Sequence, residues 1–280
     1  MLLLTFLFSG VGLRQCGRNL DLSVHAVQRK FRKLARHLRL LNRNLLTRLP
    51  GDRTFLFDEM ESYEGSRIQP LTIPVLIDRE SWLLIDTRSA PIRRSARRGS
   101  RAHRRLVEHE MAHGRRKDGG RECVRRSFGR LQRLLGGQRA VLLTDEKGCY
   151  ATQCRRRFGQ QVVHERWSGA APRTMFNPLQ PINTTDAMLR DNNGRLRRRS
   201  WLVSKKRRCL ELQLALFQAY RNWTRPRFNR DRRGTTAGVS IGAIGRQLSV
   251  GELVAWRQDW RQRSIHPAST RGDRAVGDAA

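Results

Sequence analysis

The stretch Thr54–Asp58, TFLFD, is a short apolar run that ends in an acid and follows a Pro50-Gly51 break. Two similar runs come next, LTIPVLI at Leu71–Ile77 and WLLIDT at Trp82–Thr87, with a turn between them at Asp78–Ser81. Short runs of β-branched and other apolar residues bounded by turn residues are typical of strands. The pattern therefore predicts three successive strands, arranged as an antiparallel meander at one side of a sheet.

Further strands and helices follow this meander. AVLLT at Ala140–Thr144 predicts a fourth strand and QVVH at Gln161–His164 a short fifth. Helical spacing of apolar residues predicts three helices. The first spans Gly120–Leu135, the second begins at about Thr185, and the third spans Arg208–Trp223. The mixture predicts an α/β fold class.

The N-terminal region has a different pattern. LRQCGRNL at Leu13–Leu20 predicts a short helix, Asp21–Ser23 a turn, and Val24–Leu46 a long basic helix with Ser23 as its N-cap. A helix, a tight turn and a basic amphipathic helix form the layout of a DNA-reading helix-turn-helix. In this interpretation the apolar opening of the chain is a first helix that lies on the recognition helix. The alternative is a solvated basic helix.

Charge points to the class of partner. Lys and Arg number 57 against 24 Asp and Glu, which gives a net charge of +33, and an excess of this size is typical of nucleic-acid binding. Five cysteines form no C-x-x-C pair, which argues against a zinc ribbon and a disulfide scaffold and fits a reducing compartment. No apolar run approaches the length of a membrane span.

Three acids stand at the predicted element boundaries. Asp58 and Asp145 each follow an apolar strand, and Asp186 lies where a helix is expected to begin. If the two strands are neighbours in one sheet, both acids project at the same edge, and an acid from a packed helix would complete a set of oxygen ligands for divalent metals. The alternative is that these acids are ordinary turn residues.

The chain resembles bacterial insertion-sequence transposases, whose DDE catalytic domain has an RNase H-like fold. The resemblance extends from about Val11 to Arg261. It depends on four stretches, which are FDEMESYE at Phe57–Glu64, LTD at Leu143–Asp145 with Tyr150 behind it, NTTDAMLR at Asn183–Arg190, and the basic RLRRRSW at Arg195–Trp201 with Ser204–Lys206. The family also has an N-terminal helix-turn-helix, which matches Gly12 to Phe31.

The resemblance implies a site and a reaction. Asp58, Asp145 and Asp186 would be the catalytic acids and would hold two Mg²⁺ or Mn²⁺ ions, while Asn183 and Asp191 remain alternatives for the third position. Asp occurs where Glu is more common in the family, which leaves the activity of this copy open. The implied reaction cuts a phosphodiester at the end of the element and then joins the freed 3′-hydroxyl to target DNA.

The predicted fold is an RNase H-like mixed sheet with flanking helices, preceded by an all-α helix-turn-helix. The domains are residues 1–49 for DNA binding, 50–225 for catalysis, and 226–280 for a basic linker, a short helix at Val250–Arg261 and a disordered tail. The implied partner is double-stranded DNA, both element ends and target, bound by a homo-oligomer in the bacterial cytoplasm. The predicted DNA contacts are Arg29, Lys30, Arg32, Lys33, Arg36, Arg190, Arg195, Arg197, Arg198, Arg199, Lys205 and Lys206.

Two other functions compete with this one. A decayed or truncated transposase would bind DNA without catalysis. A zinc metalloprotease is suggested by HEMAH at His109–His113, which matches H-E-x-x-H and would place two imidazoles on one face of a helix. Gly114 is expected to end that helix at once, the flanks are polar, and Glu122 and Cys123 are the nearby third-ligand candidates.

Overall fold

The computed structural model describes residues 1–172, 174, 176–197, 202–228 and 234–257. Within these ranges the chain forms one mixed sheet with helices on both faces, which confirms the α/β class. The strands are β1 (Arg53–Glu64), β2 (Ser66–Asp78), β3 (Leu84–Thr87), β4 (Ala90–Pro91), β5 (Ala140–Thr144) and β6 (Val162–Arg166). The helices are α1 (Leu2–Phe8), α2 (Leu13–Asn19), α3 (Val24–Leu45), α4 (Arg101–His113), α5 (Gly120–Leu135), α6 (Gly148–Phe158), α7 (Gln180–Asn192), α8 (Arg207–Ala219), α9 (Ala237–Ser240) and α10 (Val250–Ala255).

The sheet order is β3-β2-β1-β5-β6, and β4 pairs with β2. β1, β2 and β3 are antiparallel neighbours, which confirms the predicted meander, whereas β5 runs parallel to both β1 and β6. β1 and β2 form a long hairpin whose turn residue Gly65 has φ +71, a conformation that glycine adopts without strain. β1 therefore lies at the centre of the sheet and joins its antiparallel and parallel halves.

The two faces of the sheet carry separate apolar clusters because side chains alternate along each strand. On one face Phe55 and Phe57 pack with α3, α5 and α6. On the other face Leu56 and Met60 pack with α7 and α8. Adjacent residues of β1 consequently enter different environments, and this alternation decides the surroundings of each acid on the strand.

Several predicted elements differ from the observed ones. β1 continues to Glu64 and β2 begins at Ser66, because hairpin pairing extends both strands beyond their apolar runs. β3 begins at Leu84, since Trp82 has φ 60 and cannot continue a strand. α8 ends at Ala219 and passes into a single π-helical turn at Tyr220–Thr224.

Other predictions are confirmed or fall outside the described residues. α5 and β5 have the predicted bounds, and Ser23 caps α3 by accepting a hydrogen bond from Ala26 N–H. α4 was predicted only as part of the H-E-x-x-H alternative, and α6 was not predicted. α10 ends at Ala255, before the expected Arg261, which lies outside the described ranges together with the tail.

The N-terminal helices share a core with the sheet. α3 packs mainly on α8 through buried residues that include Phe31 and Leu38. α1 lies against both α3 and α8, and its Phe8 ring stacks on Tyr220 with centroids 4.4 Å apart. The two helices and turn of the predicted helix-turn-helix are present, but its role in reading DNA and the separation of residues 1–49 as a domain stay predictions. No helix among the described residues has the length and apolarity that a membrane crossing requires.

Candidate functional site

Asp58 lies inside β1 and not after it, which corrects the prediction that the strand ends at this acid. The apolar run ends there, but the strand continues, with Asp58 opposite Val75 of β2 and Met60 again buried. Because side chains alternate along a strand, Asp58 projects from the same face of β1 as Leu56 and Met60. It therefore faces the side of the sheet that α7 and α8 cover.

Asp145 follows β5 directly, as predicted. β1 and β5 are parallel, with Leu56 opposite Leu143 and Phe57 opposite Thr144. Asp58 lies two residues after Leu56, and Asp145 lies two residues after Leu143. The two acids therefore lie side by side on the same face of the sheet. The register therefore brings together two of the predicted metal ligands.

The surroundings of Asp58, which include the charge of Asp145, shift its pKa. Burial raises the pKa of Asp58, the hydrogen bond that it accepts from Glu59 N–H at 2.7 Å lowers it, and the negative charges of Asp145 and Glu59 raise it further. The net pKa is above the ordinary value. Two partly buried carboxylates at neighbouring positions favour a bound cation, because a positive charge relieves the repulsion that otherwise holds a proton there.

Asp186 lies in the middle of α7 and not at its beginning. The helix begins at Gln180, before the expected start at about Thr185, because Pro181 is tolerated in a first turn. Asp186 is buried, and it lies at helical spacing from Ile182 and Leu189, which pack with Leu56 against the sheet. The third predicted acid is thus on the sheet-facing side of α7, which packs on β1 and β2.

The alternatives for the third position differ in exposure. Asp191 is exposed at the C-terminal end of α7, and its backbone carbonyl accepts a hydrogen bond from Arg197 at 3.1 Å. Asn183 is partly buried. Asp186 is the only one of the three that is buried on the sheet-facing side.

The acids provide only part of a divalent-metal site. Within the described part of the chain, no three His, Cys, Asp or Glu side chains form a metal-binding group, so Asp186 shares a side of the sheet with the other two acids without closing a three-acid cluster. Mg²⁺ is commonly held by one or two carboxylates together with water and substrate phosphates. The adjacent Asp58 and Asp145 fit this donor set.

Glu59, next to Asp58, faces the opposite side of the sheet and is fully engaged. Its carboxylate accepts hydrogen bonds from the Thr72 hydroxyl at 2.7 Å and the Tyr150 hydroxyl at 2.6 Å, and it pairs with the Lys147 ammonium. Its side chain is 6% exposed. Burial raises the pKa of Tyr150, and the charge of Glu59 raises it further.

This network ties α6 to β1 and β2 and was not predicted from the sequence. The Lys147 N–H donates to Asp145 Oδ1 at 3.0 Å, so the same residue contacts both faces of the site. The FDE motif contains a signal for this network, because Glu59 directly follows Asp58 and so projects from the opposite face of the strand.

The H-E-x-x-H motif lies on α4, a helix with no buried residue, which ends at Gly114 as expected. The imidazoles of His109 and His113 stack with centroids 4.4 Å apart, and His109 Nε2 lies 2.9 Å from Gln69 Nε2. The predicted third ligands are engaged elsewhere. Glu122 pairs with two arginines of its own helix, and burial raises the pKa of Cys123 to about 12.

The predicted DNA contacts fall into different environments. The five cations of α3 are exposed, as are Arg197, Lys205 and Lys206. Arg190 is partly buried. Arg195 is also partly buried, with its guanidinium 5.7 Å from the centre of the Phe31 ring and 3.4 Å from Ser204 Oγ. Arg198 and Arg199 lie outside the described residues.

Comparison with known proteins adds little to this geometry. No protein-family model and no curated protein sequence matches the chain. Among solved structures, the chain is similar to a chain in the cryo-electron microscopy structure of the simian T-cell lymphotropic virus intasome in complex with PP2A regulatory subunit B56 gamma, with a TM-score of 0.30 and 13% sequence identity. The match covers 68% of this chain and about half, 54%, of the other. A similarity of this strength carries no argument about function.

Proposed function

We propose that the chain is a DNA transposase of the DDE type, which cuts and joins DNA by metal-dependent phosphoryl transfer. The observation that carries the proposal is the register of β1 and β5, which sets Asp58 and Asp145 side by side on the face covered by α7. The mixed sheet, with an antiparallel meander followed by parallel strands, is compatible with an RNase H-like catalytic domain. The net charge of +33 supports DNA as the substrate.

The side chains have distinct roles in this proposal. Asp58 and Asp145 would hold two Mg²⁺ or Mn²⁺ ions, and Asp186 would be the further ligand from α7. Bound divalent ions would neutralise phosphate charge and lower the pKa of water at the site. The exposed cations Arg197, Lys205 and Lys206 follow α7 in the chain and neutralise the phosphates of the bound strand.

The central experiment is cleavage of supercoiled plasmid DNA by the full chain in Mg²⁺ or Mn²⁺. We expect nicking that EDTA abolishes and that Asp145→Asn abolishes while DNA affinity is retained. Glu146→Gln is the matched control, because Glu146 is the exposed neighbour of Asp145. If the wild type binds DNA but shows no divalent-dependent cleavage, the proposal is wrong and a DNA-binding protein without catalysis remains.

That second candidate function is favoured by one observation, namely that Asp occupies the third position where the related pattern has Glu. The shorter side chain of Asp186 reaches less far from α7 toward the sheet. Asp186→Glu is expected to raise the cleavage rate if reach limits activity, whereas Asp186→Asn is expected to abolish it. Asp191→Asn, an exposed position on the same helix, is the control and is expected to retain cleavage.

A further inference from the structure

A groove of about 580 Å³ lies between the N-terminal helices and the start of α8, away from the acids. One wall is formed by α2 and α3 and the other by residues 194–195 and 202–209. This N-terminal groove carries six exposed cations and, among the described residues that line it, no acid. The six cations are Arg14, Arg18, Arg32, Lys205, Lys206 and Arg208.

The described part of the protein does not neutralise these cations. Within the described ranges none of the six forms an ion pair or a side-chain hydrogen bond. Like charges that converge on one concave surface raise the local potential and attract an anion with several charges. The groove therefore has the electrostatics of a polyanion site.

A second arginine-lined cavity shows what a neutralised site looks like in the same molecule. It lies between α3, α5 and α8 beside β3. There Arg88 pairs with Asp86, Arg126 with Glu122 and Arg207 with Glu211. The acids of this second cavity balance much of its charge. An arginine-rich lining alone therefore does not explain the unpaired cations of the N-terminal groove.

The floor of the groove is rigid and mostly apolar. Arg195 joins the two walls, since its guanidinium lies over the Phe31 ring of α3 and reaches Ser204. Gly10 and Gly194 let the backbones of the two walls touch, because a Cβ added at Gly194 would lie 2.8 Å from the Gly10 carbonyl oxygen. A preformed surface of this kind binds an extended partner with little ordering cost.

The groove is close along the chain to Asp186, one of the three predicted acids. α7 extends six residues from Asp186 to Asn192, about 9 Å at the helical rise of 1.5 Å per residue. Gly194, two residues later, lines the groove. A short stretch of chain therefore joins Asp186 to the groove.

We propose that the N-terminal groove binds the phosphate backbone of double-stranded DNA. The proposal depends on the proposed function for the identity of the polyanion as DNA. It assigns phosphate contacts to Arg14 and Arg18, for which sequence reasoning gave no role, and it uses only Arg32 of the five α3 cations predicted to bind DNA. The helix-turn-helix interpretation instead places the DNA on the exposed face of α3.

The test compares three full-length variants that each lose four positive charges. The groove variant is Arg14→Gln, Arg18→Gln, Lys206→Gln and Arg208→Gln. The α3 variant is Arg29→Gln, Lys30→Gln, Lys33→Gln and Arg36→Gln. The control variant is Arg97→Gln, Arg98→Gln, Arg104→Gln and Arg105→Gln, all exposed residues in and before α4. Since all twelve side chains are exposed, thermal melting by circular dichroism is expected to show that each variant folds.

Binding to a labelled random-sequence duplex is measured by fluorescence anisotropy between about 50 and 200 mM salt. We expect the groove variant to bind at least about tenfold more weakly than the wild type. The slope of log K against log salt should become less negative by about 3. The α3 and control variants are expected to change affinity less than about threefold. If all three lose affinity equally, or if the α3 variant loses most, the proposal is overturned.

Two further measurements separate this proposal from the proposed function. Asp145→Asn is expected to retain wild-type affinity for the duplex, so failure of cleavage with intact groove binding would contradict only the catalytic assignment. Normal duplex binding by the groove variant in a chain that cleaves DNA would contradict only the groove. Polyglutamate is the probe for an acidic protein partner, and displacement of the duplex by polyglutamate at lower concentration than by unlabelled duplex would also overturn the proposal.

Discussion

Asp58 and Glu59 are adjacent on β1 and yet have opposite electrostatic surroundings. Glu59 accepts two hydroxyl hydrogen bonds and pairs with Lys147 on the face covered by α5 and α6. Asp58 accepts a hydrogen bond from a backbone N–H and lies beside Asp145 on the face covered by α7. Strand alternation alone separates the two acids, because successive side chains project to opposite faces.

The difference shows how one strand can carry both a structural and a functional acid. A buried carboxylate whose hydrogen bonds and charge are satisfied by the protein stabilises the packing around it. A carboxylate beside a like charge costs folding free energy, and such groups concentrate at functional sites. On this basis Glu59 anchors α6 to the sheet, and we propose Asp58 as a cation ligand.

The largest expected effect concerns catalysis. Asp58→Asn should lower divalent-dependent DNA cleavage by roughly 10³-fold, since loss of a charged group that acts at the transferring phosphate costs about 4 kcal/mol of transition-state stabilisation. Glu59→Gln should lower it less than about tenfold, because its side chain faces away from the site. Initial nicking rates at saturating Mn²⁺ measure both. Equal losses in the two variants would refute the division of roles between the two faces.

The next effect concerns stability, for which Glu59 is expected to matter more than Asp58. Glu59→Ala should lower the free energy of unfolding by about 2–3 kcal/mol, because it removes two hydroxyl hydrogen bonds and leaves the buried Tyr150 hydroxyl without its acceptor. Asp58→Ala should leave that free energy unchanged or raise it, since it removes a partly buried charge beside Asp145. Urea unfolding measures the difference, and Glu61→Ala, an exposed position on β1, is the control.

A smaller effect concerns metal binding without DNA. Mn²⁺ at tenfold its Kd should stabilise the wild type by about 1.4 kcal/mol and raise its Tm by a few degrees, on the order of 2–6 °C. The shift should vanish in Asp145→Asn and persist in Glu59→Gln. Differential scanning calorimetry with and without Mn²⁺ provides the comparison, and an undiminished shift in Asp145→Asn would place the cation elsewhere. His109→Ala should keep the shift, since α4 is separate from the acids.

The smallest effect concerns pH. The folded state raises the pKa of Asp58, mainly by burial and then by the charges of Asp145 and Glu59. A raised pKa favours folding below the unfolded value, 3.8, and this contribution is lost as pH rises through the folded pKa. The stability of Asp58→Asn relative to the wild type should therefore increase from about pH 4 to about pH 7 in metal-free buffer. A constant difference over that range would show that the carboxyl is not perturbed.

Most strands and some of the helices could be predicted because their signals are local. α5 has a continuous apolar stripe that includes Val124, Phe128 and Leu131, and its bounds follow from that spacing. α4 buries no residue, so the sequence carries no apolar stripe there, and the helix forms on its Ser100 cap. α6 has only Tyr150, Cys154 and Phe158 to bury, a stripe too sparse to recognise beside three consecutive arginines.

The candidate site could be predicted in part. Asp145 was correctly placed at the end of a strand, whereas Asp58 and Asp186 were assigned to element boundaries and lie in element interiors. The reason is that polar residues were interpreted as ends of apolar runs, although a buried acid at a site interrupts such a run without ending the strand. The roles of Arg14 and Arg18 had no local signal, since their groove exists only where α2 meets the start of α8.

The sequence by itself determined most strands, the bounds of α5, the Ser23 cap, the charge and the presence of acids beside apolar runs, because periodicity and capping depend on residues a few positions apart. Only the tertiary structure decided which acids are neighbours, which face each one occupies and where unpaired cations converge. Those features depend on the register between β1 and β5 and on the packing of α3 on α8, both of which join segments far apart in the chain. Side chains separated in sequence acquire a common electrostatic environment only when the whole core has formed.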